Sequence, residues 1–179
     1  MYDNSAIFLD RDAIINVPNI INGNPIAIWD VKQLRLVEGI EELIDYFHYL
    51  GYIILVVTNQ PDIARGKVSK EKVDEINNEI MRLLPKIKKI YMCPHDNYQC
   101  ECRKPKIGMI KEAIEEFKLD INSSMIIGDR WSDLEAGRNA HCQTIFVDYN
   151  WDHEDQEVEC DYYVKFVPEI IKLFTEDNK

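Results

Sequence analysis

The stretch Ala6-Ile7-Phe8-Leu9-Asp10-Arg11-Asp12, close to the start of the chain, decides the fold. Its apolar residues predict a short strand that is buried on both faces, as the strands of a parallel sheet are. Two carboxylates follow at once, although an unpaired carboxylate costs several kcal/mol when it is desolvated. A cation at the carboxyl end of a parallel strand explains this pattern, because open α/β sheets bind their ligands there. Since residues i and i+2 of an extended segment point to the same side, Asp10 and Asp12 can face one ligand.

Strand and helix patterns alternate along the rest of the chain. The predicted strands span 7–9, 52–57, 87–92, 125–127, 144–147 and 162–164. The predicted helices span 38–50, 69–84, 107–119, 134–139 and 168–174. Such alternation predicts a parallel sheet with right-handed crossovers. We therefore expect a three-layer, doubly wound α/β fold.

Polar side chains also follow two later strands of the predicted sheet. Thr58-Asn59-Gln60 comes after the second strand, and Asp129 and Asp133 come after the strand at 125–127. The carboxyl ends of parallel strands lie at one edge of a sheet. These side chains are therefore expected to gather with Asp10 and Asp12.

Length and composition fit one cytoplasmic domain. With 179 residues the chain can bury a substantial core, and we expect a single domain over residues 1–179. The net charge of −11 argues against nucleic acid or an anionic membrane as a partner. No apolar run approaches the roughly 18 residues of a membrane span, and the N-terminus lacks the pattern of a secretory signal. We expect a monomer, with an oligomer left open, and a solvated loop over the acidic stretch 152–159.

Three of the five cysteines lie close together in the sequence. Cys93, His95, Cys100 and Cys102 give the pattern C-x-H-x4-C-x-C, and three thiolates with one imidazole form a closed tetrahedral zinc set. A closed site is structural, so we expect zinc to fix a loop over about 93–105. The open alternative is a chance cluster of reduced thiols, and Cys100 is the ligand that a neighbour could replace.

Two cations, Arg103 and Lys104, follow the last of these cysteines directly. A rigid loop would also fix where both side chains point. Arginine forks onto phosphoryl oxygens and lysine acts as a point charge, so cations beside paired carboxylates suit a phosphorylated substrate.

Four short motifs that contain these residues follow one another along the chain. They are Asp10-x-Asp12, Thr58-Asn59, Lys104 and Gly128-Asp129-x-x-x-Asp133. By this ordered set the chain resembles the haloacid-dehalogenase-like (HAD) phosphatases. The segments 57–60, 63–66, 93–95 and 102–105 resemble, more narrowly, subfamily IIIA: the zinc-containing D-glycero-D-manno-heptose 1,7-bisphosphate phosphatases and the related histidinol-phosphatase domain. The resemblance covers roughly residues 6–147 and implies a HAD-like Rossmannoid sheet with a small zinc-stabilised loop and no large cap domain.

The resemblance implies catalytic and metal-binding roles. Asp10 is expected to be the nucleophile that forms an aspartyl-phosphate, and Asp12 the general acid and base. Mg2+ is expected on the Asp10 carboxylate, the Asp12 main-chain carbonyl and Asp129. Thr58 and Lys104 are expected to bind phosphoryl oxygens.

Further residues are implied around the substrate. The candidates for substrate binding are Asn16, Asn59, Gln60, Arg65, Arg103 and Arg130. Asp133 is expected to orient Lys104 or a metal-bound water. The segment 17–35, which contains Trp29, is the candidate lid.

One departure from the family pattern follows the second carboxylate. The usual Asp-Gly-Thr is Asp12-Ala13-Ile14 here. Glycine permits a sharp turn that Ala13 restricts, and Ile14 lacks the hydroxyl that normally ties the turn down. Because every charged group of the chemistry is present, we expect a slower or differently selective enzyme. The alternative from another class is a catalytically silent relative that serves as a binding or scaffold protein.

The expected activity is Mg2+-dependent removal of the C7 phosphate of D-glycero-D-manno-heptose 1,7-bisphosphate, for a surface-polysaccharide precursor. Hydrolysis of histidinol phosphate or of another sugar phosphate is the alternative within the enzyme class. An acidic pocket would favour the amine of histidinol phosphate, whereas a second basic subsite would favour the bisphosphate. Arg103 with Arg130 favours the bisphosphate.

Overall fold

The computed structural model describes residues 4–97, 99–151 and 159–175. The strands are β1 (Ala6–Leu9), β2 (Asn19–Ile21), β3 (Asn24–Ile26), β4 (Ile53–Asn59), β5 (Ile87–Cys93), β6 (Met125–Gly128), β7 (Gln143–Val147) and β8 (Tyr162–Val164). Six of them form one sheet in the order β5-β4-β1-β6-β7-β8, with every neighbouring pair parallel. The predicted parallel sheet is confirmed, and β1 lies in its middle.

Helices cover both faces of this sheet. They are α1 (Ile40–Tyr49), α2 (Lys70–Leu83), α3 (Gly108–Phe117), α4 (Trp131–Ala140) and α5 (Ile170–Thr175). Alternate residues of β1 enter two separate cores: Ile7 and Leu9 pack with α1, α2 and α5, whereas Ala6 and Phe8 pack with α3 and α4. This alternation follows from the two-residue period of a strand. The expected three-layer α/β fold is confirmed.

Two predicted helices differ from the structure by more than small shifts at their ends. Helix α4 begins at Trp131 instead of 134, because the Asp133 carboxylate accepts the Arg130 backbone N–H at 3.1 Å and caps an earlier first turn. The predicted helix 168–174 is divided into a 3-10 turn at Val167–Glu169 and α5. Tight turns of this kind are frequent at helix ends. The predicted acidic loop 152–159 lies almost entirely outside the described residues, and the single domain over 1–179 stays a prediction.

The candidate lid segment forms an antiparallel hairpin from β2 and β3 rather than a cap domain. Its Pro25 carbonyl accepts a hydrogen bond from the Arg130 guanidinium at 3.1 Å. Beyond the hairpin, the Trp29 indole N–H donates to Asp62 at 2.9 Å. The hairpin segment is therefore fastened on both sides to loops at the carboxyl edge of the large sheet. Within the ranges described, no helix has the length and apolar character needed to cross a membrane.

Candidate active site

Three neighbouring strands bring polar residues to one edge of the sheet. Asp10 follows β1, Thr58 and Asn59 end β4, and Asp129 follows β6. The Asp10 backbone N–H donates to the Ile127 carbonyl at 3.0 Å, so the pairing of β1 with β6 continues one residue beyond the strand. Asp10 is thereby held beside the end of β6, where Asp129 follows.

Lys104 is only 2% exposed, and its ammonium group lies among these strand ends. It donates to Asp10 Oδ1 at 2.8 Å and to the Val57 carbonyl at 2.6 Å, and it lies 2.6 Å from Asp133 Oδ1. Although burial disfavours the ammonium form, the two carboxylates outweigh it and raise the pKa of Lys104. The Asn59 side chain accepts the Lys104 backbone N–H at 3.0 Å and donates to its carbonyl at 3.1 Å. The end of β4 therefore fixes the backbone that carries this cation.

The carboxylates of Asp10, Asp129 and Asp133 are all buried, with ligand oxygens within 4.8 Å of one another. Burial raises the pKa of Asp10 to about 6 against the opposing charge of Lys104. Burial, with the charges of the other two carboxylates, raises the pKa of Asp129 as well. The charges of Lys104 and of the nearby Arg130 guanidinium do not balance the three carboxylates, and Asp129 Oδ1 is buried with no hydrogen-bond partner among the described residues. An orphaned carboxylate oxygen in a net negative cluster fits a hard divalent cation such as Mg2+.

Asp133 is placed by the start of α4 and by Gly128. The Asp133 carboxylate accepts the Arg130 backbone N–H through Oδ2 and leaves Oδ1 toward Lys104. A Cβ at Gly128 would lie 2.3 Å from the Cβ of Asp133. A side chain at position 128 would therefore collide with Asp133, and glycine is needed there for the Asp133 carboxylate to reach Lys104.

The Asp12 carboxylate is held by three donors. Arg11 Nη2 donates to its two oxygens at 3.1 and 2.9 Å, Asn16 Nδ2 donates at 3.0 Å, and Gln60 Nε2 donates at 2.7 Å. Burial alone would raise the pKa of Asp12, but the Arg11 charge and these hydrogen bonds outweigh it and hold the pKa below its usual value. Gln60 also donates to Thr58 Oγ1 at 2.9 Å. The candidate acid and base is thus oriented by residues from β4 and from its own turn.

The predicted zinc ligands meet at the end of β5. Cys93 Sγ lies 3.7 Å from Cys100 Sγ and 3.0 Å from Cys102 Sγ, and His95 Nδ1 lies 3.3 Å from Cys102 Sγ. Burial raises the pKa of Cys93, whereas hydrogen bonds, first that from the Arg103 backbone, outweigh burial and lower the pKa of Cys100 to about 7. Three sulfur atoms and one imidazole nitrogen around a common centre fit a tetrahedral metal ion. That the ion is zinc stays a prediction.

Each of the predicted arginines contacts a neighbouring loop. Arg103 Nη1 donates to the His95 carbonyl at 3.0 Å, inside the cysteine loop. Arg65 lies 3.2 Å from Asp62 and 2.5 Å from Asp96, and so ties its own loop to the cysteine loop. Arg130 holds the hairpin, as described above. Their contacts with a substrate stay predictions.

Comparison with known proteins agrees with this geometry. Residues 101–170 match the HAD-hydrolase-like family. The chain is 36% identical to the D-glycero-alpha-D-manno-heptose-1,7-bisphosphate 7-phosphatase of Campylobacter jejuni, with 97% of each protein covered. It is 30% identical to the D-glycero-beta-D-manno-heptose-1,7-bisphosphate 7-phosphatase of Pasteurella multocida, with 94% of this chain and 95% of that protein covered.

The chain therefore belongs to the family of HAD-like phosphatases that includes these two relatives. The prediction of a hydrolase of phosphomonoesters is confirmed. Among solved structures, the D,D-heptose 1,7-bisphosphate phosphatase of B. bronchiseptica, complexed with magnesium and phosphate, superimposes with a TM-score of 0.82. It is 21% identical, with 97% of this chain and 99% of that chain covered, and this likeness shows the shared fold.

Two buried residues of this phosphatase site were missed by the sequence analysis. Arg11 is 0% exposed and pairs with Asp12, and its position between two carboxylates was a signal that could have identified it. Asp62 is 6% exposed and lies close to Trp29, Arg65 and Lys67. Arg65 and Lys67 belong to the loop of Asp62 itself, whereas Trp29 comes from a distant segment that no local pattern connects to Asp62.

Proposed function

We propose that the protein removes the C7 phosphate of D-glycero-D-manno-heptose 1,7-bisphosphate through an aspartyl-phosphate intermediate, with Mg2+ and zinc bound. The buried cluster that joins Lys104, Asp10 and Asp133, beside an Asp129 oxygen without a partner, carries the chemistry. The substrates named for the relatives support the choice of sugar. We place the reaction in the cytoplasm, in the synthesis of a surface-polysaccharide precursor.

Different residues of the cluster would hold the metal and the phosphate. The Asp10 carboxylate, the Asp12 main-chain carbonyl and Asp129 would hold Mg2+, which when bound offsets repulsion between an anionic nucleophile and an anionic phosphoryl group. Lys104 and Thr58 bind the phosphoryl oxygens. Lys104 stays protonated for this role because two carboxylates surround it.

In the first step, an Asp10 oxygen forms a bond to phosphorus while the bond from phosphorus to the sugar oxygen breaks. Because Arg11 holds the pKa of Asp12 below its usual value, Asp12 first takes a proton from solvent and then gives it to that leaving oxygen. In the second step, Asp12 takes a proton from water, and the water oxygen attacks phosphorus to release phosphate and restore Asp10. The donors around Asp12 keep its carboxylate in one orientation for both transfers.

The cysteine loop and the arginines serve substrate binding. Zinc on the three cysteines and His95 would fix the loop that carries Arg103 and Lys104. Arg65, Arg103 and Arg130 would contact the second phosphate or the hydroxyls of the sugar, because guanidinium groups fork onto such oxygens. The second phosphate of a bisphosphate suits these three guanidinium groups better than the amine of histidinol phosphate does.

Phosphate release tests the proposal directly. Mg2+-loaded protein is given the α and β anomers of heptose 1,7-bisphosphate and histidinol phosphate, and we expect rapid release of one phosphate from the bisphosphate. Asp10→Asn should lower kcat by on the order of 10³-fold or more, as loss of a nucleophile does. Asp45→Asn, an exposed carboxylate on α1, is the matched control and should keep full activity.

Two results would contradict the proposal. Faster release from histidinol phosphate than from either anomer would assign the other substrate. No release from any phosphomonoester by folded, metal-loaded protein would favour the catalytically silent relative.

A further inference from the structure

Among the residues that the structure describes, Arg11 has the largest completely buried side chain, at 0% exposed. Burying a guanidinium is costly unless the charge is paired and its N–H groups are hydrogen-bonded. Its Nη2 donates to both oxygens of Asp12, and its Nη1 donates to Asn77 Oδ1 at 3.2 Å. The buried charge is therefore directed at the Asp12 carboxylate.

Asn77 connects this pair to the body of the fold. It lies on α2 and is 8% exposed, between the buried residues Ile76 and Ile80 of the same helix. Its Nδ2 lies 3.9 Å from Met92 Sδ on β5, so its side chain is held from a second element. Asp12, Arg11 and Asn77 form a continuous buried series from the sheet edge to α2.

A purely packing role does not explain the choice of arginine. An apolar side chain of similar volume would fill the space without desolvating a charge, and such replacements of buried ion pairs are often neutral or stabilising. The other donors to Asp12, Asn16 and Gln60, are neutral amides. Arg11 is the cation that contacts Asp12 among the described residues, and its fork fixes both carboxylate oxygens at once.

We propose that Arg11 and Asn77 are positioning residues that fix the Asp12 carboxylate for proton transfer to the leaving oxygen. The inference rests on the proposed function, which makes Asp12 the general acid. Arg11 is fully buried, so it acts through Asp12 and does not touch the substrate. Loss of either residue lets the carboxylate turn away from the leaving oxygen while Asp10 and Lys104 keep their contacts.

The test compares two leaving groups. A sugar phosphate needs a proton on its departing alkoxide, whereas p-nitrophenyl phosphate releases a stabilised phenolate that needs none. The readout is kcat/KM, which covers the steps up to departure of the leaving group. For Arg11→Met we expect a loss of about 100-fold or more on the sugar phosphate, in the range of general acid catalysis, and less than about 10-fold on the aryl ester.

Matched variants keep the test decisive if Arg11→Met does not fold. For Asn77→Ala we expect a smaller loss of kcat/KM that again falls mainly on the sugar phosphate. Arg11→Lys should keep part of the activity that Arg11→Met loses. Asn78→Ala, at an exposed position of the same helix, should leave both substrates unchanged. Circular dichroism checks the fold of each variant.

Asp12→Asn separates the possible failures. If Asp12→Asn loses activity mainly on the sugar phosphate while the Arg11 and Asn77 variants lose both activities equally, the two residues are structural and the inference is overturned, with the proposed function intact. If Asp12→Asn itself affects both substrates equally, the assignment of Asp12 as general acid fails, and the inference falls with it.

Discussion

At the scale of single residues, the turn after Asp12 keeps a glycine-like conformation without glycine. Ala13 has a φ of +70° and is 2% exposed. Its N–H donates to the Asn16 carbonyl at 2.8 Å, which closes the turn despite a cost of about 1–2 kcal/mol for a left-handed residue with a Cβ. Ile14, where the family has threonine, is 0% exposed and packs in the core. Apolar packing of Ile14 therefore stabilises this turn, which a threonine hydroxyl would otherwise hold through a hydrogen bond.

Substitutions at Ala13 test this conformation. Ala13→Gly should change the free energy of unfolding by less than about 1 kcal/mol, because relief of strain is offset by a lost methyl group and a more flexible unfolded chain. Ala13→Val should lower it by about 2 kcal/mol or more, because a β-branched residue fits poorly at positive φ. Urea denaturation measures both. Equal stability of the two variants would mean that Ala13 does not hold a positive φ.

At the scale of elements, the cysteine loop and the end of β4 together hold Lys104. The loop reaches Lys104 two residues after Cys102, and Asn59 binds the Lys104 backbone from the other side. Cys102→Ser should abolish the bound zinc, measured by mass spectrometry of the metal, and lower kcat by about 10–100-fold, as loss of a supporting metal-site contact does. Cys160→Ser, outside the cluster, should keep one zinc ion and full activity. A Cys102→Ser protein with full zinc content would contradict the ligand assignment.

The elements differ in how well the sequence predicted them. Strands such as β4 were predicted because a β-branched apolar run marks them locally. The hairpin of β2 and β3 was not predicted, since its three-residue strands contain asparagine and proline, which are typical of loops. Asp10, Thr58 and Asp129 were placed at one edge from strand ends alone, whereas the site role of Lys104 came from the family resemblance. Asn77, which binds Arg11, and Trp29, which binds Asp62, come from distant segments, and only the packed chain brings these pairs together.

Over the molecule as a whole, folding of this acidic chain brings like charges together at the carboxyl edge of the sheet. The chain carries a net charge of −11, and the parallel sheet gathers three buried carboxylates around one ammonium. Burial raises the pKa of Asp10 from 3.8 to about 6. The folded protein therefore binds the Asp10 proton more tightly than the unfolded chain does. Without Mg2+, the Asp10 carboxyl by itself should lower the free energy of unfolding by on the order of 3 kcal/mol as pH rises from about 4 to about 6.

Bound Mg2+ should reverse this loss, because the ion favours the ionised carboxylates. The gain in Tm on adding saturating Mg2+ should therefore be small at pH 5 and reach several degrees at pH 7.5, since each kcal/mol shifts Tm by roughly 2–4 °C in a chain of this size. Calorimetry in magnesium-free buffer without a chelator keeps the cysteine site loaded. Asp129→Asn removes a proposed ligand of the ion, so at pH 7.5 it should abolish the response of Tm to Mg2+. An equal gain at both pH values would mean that the ion does not bind these carboxylates.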